Sequence, residues 1–549
     1  MNVVDFFPRP KHPPAPDHFK NDVVSGKRKK VETLGRADLK KWLVLRVECI
    51  RGEVDVTIEV FPAFNYAQDT HTTHLSKSTL QDGGPNHGEM VFKSKSLSLQ
   101  LSATVDCGDS PEESCPVITF NEESRSSTLG KGVTARFHLK EGQAVSFIFR
   151  EYGDKKPEQI TTAVVDNVQA ETQRFWSNWI SPSTYRGRWQ EVVTRSLFIL
   201  KLLTYEPTGA IVAAPTFSLP EDIGGGRNWD YRFSWIRDSS FTIYVLLRLG
   251  FTEEAEAYTN VIFERIQIAK ERGGSLPIMF DIRGHTEIPE LELSHLEGYR
   301  NSKPVRIGNG AASHTQLDIY GELMDGIYLS NRFGKPVTYD QWLAVREITD
   351  YVCTIVKEKD MSIWEVRGEK QNFVYSKIML WVAIDRALRL AEKRGFPCPQ
   401  RWEWYRVRDE ICEEVMEKGY NKDMEASVQS YEILKPPEKG GLTSAGLVYR
   451  YNTAKSDDGV GGSEGAFSLC TFWLVEALTR AGAYDRKCLP QAVSIFENMM
   501  SFANHLHVFS EEIARSGEQL GNTSQAFSHL ALISAAFRLD RTLGDSTRR

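Results

Sequence analysis

The chain has 549 residues, enough for a large core and two or more domains, with 41% hydrophobic and 26% charged residues. That is the composition of a globular protein, and a net charge of -6 offers no electrostatic case for nucleic acid or an anionic membrane. No run approaches about eighteen continuous apolar residues, so no membrane-spanning segment is expected. The start, MNVVDFFPRPKHPP, lacks the charged and apolar regions of a secretory signal. A cytosolic setting with reduced thiols is the resulting expectation. The eight cysteines are scattered, form no CxxC pair and suggest no disulfide framework. The basic run Lys27 to Lys30 reads as a solvated loop.

The first part reads as strands. Val54, Val56, Ile58 and Val60 alternate with Asp55, Thr57 and Glu59, the period of a half-buried strand. Further strands are expected at 42–50, 90–95, 97–105, 116–121, 133–139 and 143–151, separated by turn-forming clusters. Val3 to Phe7 also reads as a strand, so residue 1 is expected partway into a sheet. Residues 64–89 read as a polar loop. Its His71 and His74 are not part of a cysteine or carboxylate set with metal-ligand spacing, and no metal is expected there. Residues 160–188 read as a linker and entry helix, with Phe175, Trp176 and Trp179 as packing anchors.

From about residue 189 the apolar period changes from 2 to 3.6. Helices are expected at 189–205, 238–250, 252–271, 313–330, 338–359, 373–393, 399–418, 465–482, 485–502 and 522–542. Val345, Ile348, Val352 and Ile355 share one face, as do Ile378, Trp381, Ile384 and Leu388, and Leu530, Ile533 and Phe537. These stripes read as core.

The connections carry the functional signal. Every second one is long and rich in glycine, aromatics and charge. The richest is GGGRNWDYRFSWIRDSS at 224–240, where Arg227, Asp230, Arg232, Arg237 and Asp238 lie among Trp229, Tyr231, Phe233 and Trp235. Buried charges need partners, so this run suggests a polar pocket with aromatic walls. Sugars suit such walls. If successive helices alternate in direction around a ring, all five rich loops emerge at one end and surround one mouth. Two glutamates stand out there: Glu365 after Trp364, and Glu511 after Ser510. Glycoside hydrolysis needs two carboxyl groups flanking the bond. Trp364 is placed to desolvate Glu365 and keep it protonated. No phosphate loop or HExxH motif is present.

The segments GGGRNWDYRFSWIRDSSFT, ELSHLEGYRNSKPVRIGN, IWEVRGEKQNFVYSKIMLWVAIDRAL, GLVYRYN, GGSEGAFSLCTFWLVEAL and SEEIARSGEQLGNTSQAFSHLALI resemble glycoside hydrolase family 15, the glucoamylase, glucodextranase and microbial trehalase family. The resemblance is dense over 160–545 and looser before it. It implies a multidomain β + α protein: a partial β-sandwich over 1–155, a linker and entry helix over 156–188, and an (α/α)6 helical-hairpin barrel over 189–545. It implies inverting exo-hydrolysis of α-glucosidic bonds with glucose release, glucoamylase-like on glucan ends, or alternatively an α,α-trehalase. An inactive sugar-binding relative or a damaged chain is the reading from another class. Glu365 matches the general acid and Glu511 the general base. Arg237, Asp238 and Arg450 match sugar-binding residues, and Trp229 and Trp364 are expected to line the substrate site. The partner is an oligosaccharide or disaccharide. General acid/base hydrolysis needs no cofactor, and no metal ligands are assigned. The family's barrel has twelve helices and this chain shows ten. After VQSYE, Glu432 runs straight into Ile433, so one hairpin is expected to be absent.

Overall fold

The computed structural model describes residues 1–10, 40–76, 88–109, 111, 114–153, 160–215, 219–271, 273, 275–421, 426–427, 441–452 and 458–547. The run 27–30 and the Glu432–Ile433 junction lie outside them. The chain forms two compact units, Met1–Ser181 and Pro182–Arg549.

Among the described residues the first unit carries nine antiparallel strands: β1 (Asn2–Phe6), β2 (Trp42–Glu48), β3 (Glu53–Val60), β4 (His71–Ser76), β5 (Glu89–Ser94), β6 (Ser98–Asp106), β7 (Asn121–Ser124), β8 (Lys131–Lys140) and β9 (Ala144–Glu151). One sheet runs β1-β2-β9-β6-β5-β4 and the other β3-β8-β7. The alternation in β3 sets its register. Val54, Val56, Ile58 and Val60 stand opposite Leu139, Phe137, Ala135 and Val133 of β8. These apolar pairs meet Phe92, Leu101 and Phe147 of the other sheet in one core. A helix, α1 (Thr162–Ile180), follows, capped by Thr161.

Several expectations for this unit need correction. Residues 64–89 are not all loop, because β4 pairs along β5. His71 and His74 are therefore strand residues three apart and face opposite sides. His71 is buried, with Nε2 3.0 Å from the Lys131 carbonyl. Residues 116–120 are irregular, and β7 starts at Asn121. Cys107 and Cys115 are joined in a disulfide with Cα atoms 5.2 Å apart. The turn after β6 brings them together, which a spacing of eight cannot reveal. Of the three expected anchors on α1, only Phe175 is buried, while Trp176 and Trp179 are half-buried.

The second unit is helical: α2 (Gln190–Leu202), α3 (Asp238–Leu249), α4 (Thr252–Glu271), α5 (Asp318–Phe333), α6 (Tyr339–Ile355), α7 (Val374–Arg394), α8 (Arg401–Lys418), α9 (Ser468–Ala481), α10 (Cys488–Met500) and α11 (Ala526–Thr547). Burial separates them into two layers. Helices α5 and α7 bury residues around most of their circumference. Helices α6 and α10 bury one stripe each, Trp342–Val345–Ile348–Val352 and Leu489–Ala492–Phe496–Met499. An inner layer, α3, α5, α7, α9 and α11, is backed by an outer layer, α2, α4, α6, α8 and α10. The phase expected for α7 is partly wrong, since Ile378 is 40% exposed.

Around the inner layer, α11 packs on α9 and α3, and α5 packs on α3 and α7. Among the described residues α7 and α9 do not pack on each other in this way. The inner-layer contacts of the described residues thus run α9, α11, α3, α5, α7 without joining α7 to α9. Among the described residues, no helix is long and apolar enough to cross a membrane.

Candidate active site

All five rich connections end at one mouth. Two adjoining cavities there share Tyr231, Trp364, Glu365 and Arg450. The inner cavity adds Trp235, Arg237, Asp238, Phe467, Glu511, Gln525 and Phe527. The outer one adds Arg227, Trp229, Asn309, Arg367 and Asp458. All seven residues singled out from the sequence line one cavity or the other.

Glu365 sits in the tight connection between α6 and α7. Its φ is +58°, and Ser362 three residues earlier has φ +65°. Two non-glycine residues in the left-handed region cost free energy, and such geometry clusters at functional sites. The turn is closed by Glu365 N–H to Ser362 O at 3.1 Å and Arg367 N–H to Asp458 O at 2.7 Å. Trp235 Nε1–H donates to Glu365 Oε1 at 2.8 Å, and Arg237 Nη2 lies 3.5 Å from the same oxygen. The indole bonded to Glu365 is thus Trp235, not its neighbour Trp364. Trp364 serves as a wall of both cavities and packs edge-on against Phe467.

Glu511, lining the same inner cavity, lies on β11 (Ser510–Ile513). This strand pairs with β10 (Ala466–Phe467) and β12 (Gln519–Thr523). The β11–β12 register shifts between Ser510 and Glu512, as at a bulge, which re-aims the side chain between them. Glu511 is buried. Asn522 N–H and Gln525 Nε2 donate to its two oxygens at 3.0 and 3.2 Å. Burial, with Glu221 nearby, pushes its pKa up to about 8 against the pull of Asn522, Arg450 and Tyr231. Gly521 makes room for it. That glycine has φ +70°, and a Cβ there would come within 2.8 Å of Glu511 Oε2.

Arg237 and Asp238 stand where α3 begins. Arg237 Nη1 donates to Gln316 Oε1 at 2.9 Å. Among the described residues, Arg237 Nε and Asp238 Oδ1 are buried without a hydrogen-bond partner and face each other as an ion pair at 3.9 Å. Buried polar atoms that make no hydrogen bond are rare in folded proteins and call for an explanation. Burial raises Asp238 to about 6, against the attraction of Arg237.

Arg450 binds Glu464 through Nε and Nη2 at 3.0 and 2.7 Å, and its guanidinium lies 4.6 Å from the Phe467 ring. Arg227, also buried, pairs with Glu221, Asp458 and Glu464 at 2.8 Å each. Glu221, Glu464 and Glu512 bring carboxylate oxygens within 4.8 Å of one another, a spacing that a metal ion could bridge. Here Arg227 and Arg450 supply the compensating charge.

Tyr231 and Trp235 belonged to the aromatic run noted in the sequence, but nothing in it showed that they touch the carboxyl groups. Gln316, Asn522 and Gln525 carried no sequence signal. Uncharged amides are common, and only the fold brings these to the site.

A helical-hairpin mouth with carboxyl groups, aromatic walls and a buried Arg-Asp pair is the frame of a glycoside hydrolase. The family model "Glycosyl hydrolases family 15" matches residues 187–440 and 424–537. A trehalase of Mycolicibacterium smegmatis is 35% identical over 530 residues, covering 92% of this chain and 75% of that protein. A trehalase of Thermoplasma acidophilum is 37% identical over 518 residues, covering 90% and 82%. Among solved structures, a glucoamylase from Saccharomycopsis fibuligera aligns with 64% of this chain and 95% of its own at 13% identity, with a TM-score of 0.47. This chain belongs to glycosyl hydrolases family 15.

Proposed function

We propose that the chain hydrolyses α,α-trehalose with inversion, Glu365 acting as general acid and Glu511 as general base. The observation that carries the roles is that both carboxyl groups line one cavity with Arg237 and Asp238. The trehalase relatives favour trehalose over the glucan ends that the sequence reading put first.

In this reading one glucose unit fills the inner cavity and its hydroxyls meet Arg237 Nε and Asp238 Oδ1. Both donors to Glu365 go to Oε1, so the proton it delivers sits on Oε2. That proton passes to the glycosidic oxygen as the bond to the anomeric carbon breaks. Ionised Glu511 takes a proton from water, and the water oxygen bonds to the opposite face of that carbon. The glycon leaves as β-glucose and the other unit as α-glucose.

The test is glucose release from trehalose, maltose and isomaltose, with the anomers followed by proton NMR before they equilibrate. Equal initial β- and α-glucose from trehalose is expected. Release from maltose or isomaltose in preference to trehalose would overturn the substrate, and α-glucose alone would overturn inversion.

A further inference from the structure

We infer that Arg367 selects the leaving group, by gripping a second sugar ring in the outer cavity beyond Glu365. The inference builds on the proposed acid role of Glu365. An acid that protonates the bridging oxygen stands between the two sugar units. Glu365 lines both cavities, so the outer one receives the unit that departs.

Arg367 is built into that cavity as a fixed donor. Nη1 and Nη2 donate to the two oxygens of Glu290 at 3.1 and 2.8 Å. Glu290 is held in turn by Gly310 N–H at 3.0 Å, with Arg306 Nε 3.7 Å away. The pairing uses two of the five N–H groups of a guanidinium. The main chain of Arg367 is pinned to Asp458 O at 2.7 Å. Its guanidinium lies 4.5 Å from the centre of the Trp229 ring, and that of Arg306 lies 4.9 Å from the same ring. Two cations against one indole fix Trp229 as a wall. Arg367 keeps 29% of its side chain exposed, so it is anchored and yet reachable. A rigid planar donor beside an aromatic wall recognises a pyranose ring, through hydroxyls at its edge and C–H groups on its face.

The test compares substrates that differ only in the leaving group. Trehalose departs as glucose, whereas α-glucosyl fluoride leaves the outer cavity without a sugar. Arg367→Ala is expected to lower kcat/KM for trehalose by about ten- to a hundredfold, the effect of losing charge-assisted hydrogen bonds. Turnover of the fluoride should stay within about twofold. Arg367→Lys should recover only part of the loss, since it cannot reproduce the planar pair with Glu290. Equal losses on both substrates, or no loss on trehalose, would overturn the inference. If the wild-type chain takes maltose instead, the trehalose reading fails while maltose against fluoride still tests Arg367. A binding measurement needs no turnover. Arg367→Ala should weaken trehalose binding to the Glu511→Gln protein about tenfold or more and leave the single-ring ligand 1-deoxynojirimycin unchanged. Equal weakening of both would count against the inference.

Discussion

The surroundings of Glu365 and Glu511 differ in almost every respect. Glu365 sits on a left-handed turn, partly open to solvent, with both neighbouring donors on one oxygen. Glu511 sits on an irregular strand, closed off from solvent, with amide donors on both oxygens and other acids nearby. Among the described residues, Glu365 accepts hydrogen bonds on one oxygen only. Glu511 is gripped on both sides, so its position is fixed while its charge is opposed by burial. In general acid/base hydrolysis such a division separates the two protons by environment.

The sharpest way to break this contrast is to remove each carboxyl and read two substrates. Glu365→Gln and Glu511→Gln should each reduce trehalose hydrolysis by about a hundred- to ten-thousandfold. On α-glucosyl fluoride, whose leaving group needs little protonation, Glu365→Gln should retain most activity and Glu511→Gln should not. Similar losses in both variants on the fluoride would show that the roles are not divided this way.

The next effect is on pH. A base that must be ionised, with a pKa near 8, should make kcat/KM for the fluoride rise with pH and level off above about 8. Stability moves the opposite way. Between the ordinary carboxyl value of 4.5 and about 8, the folded chain holds a proton on Glu511 that the unfolded chain has released. Folding stability should therefore fall as pH rises through that window. Glu511→Gln should flatten this part of the denaturation profile, and an unchanged slope would place the buried proton elsewhere.

Smaller effects follow from the supports of Glu511. Gly521→Ala forces a side chain into the left-handed region against the carboxylate. It should cost about 1–2 kcal/mol in a denaturant titration and lower activity with it. Tyr231→Phe removes a hydroxyl that favours ionised Glu511. It should move the rising limb of the pH profile upward, with little change in melting temperature.

The fold was legible where period alone decides it. The alternation of β3 and the stripes of α6 and α10 depend on neighbours in the chain, so the sequence states them directly. Convergence of the five connections was legible too, because it follows from alternating helix direction. The sheet hid β4, whose histidines and threonines look like loop until β5 stands beside them. The disulfide and the exposed Ile378 likewise depend on partners far along the chain or on the exact turn of a helix. In the site, charged and aromatic residues stood out by type. The amides Gln316, Asn522 and Gln525 did not, and although Trp235 stood out by type, its pairing with Glu365 130 residues away was hidden.

Tyr231 and Trp235 stand four apart in one segment, with their rings edge-on at 5.3 Å. The first hydroxyl serves Glu511 and the second N–H holds Glu365. The pair is a caliper whose two jaws rest on the two carboxyl groups. An inverting pair must leave about 6.5–9.5 Å for water and sugar together. In the proposed reading that gauge is carried by one short segment, residues 231–235, whose donors reach both carboxyl groups.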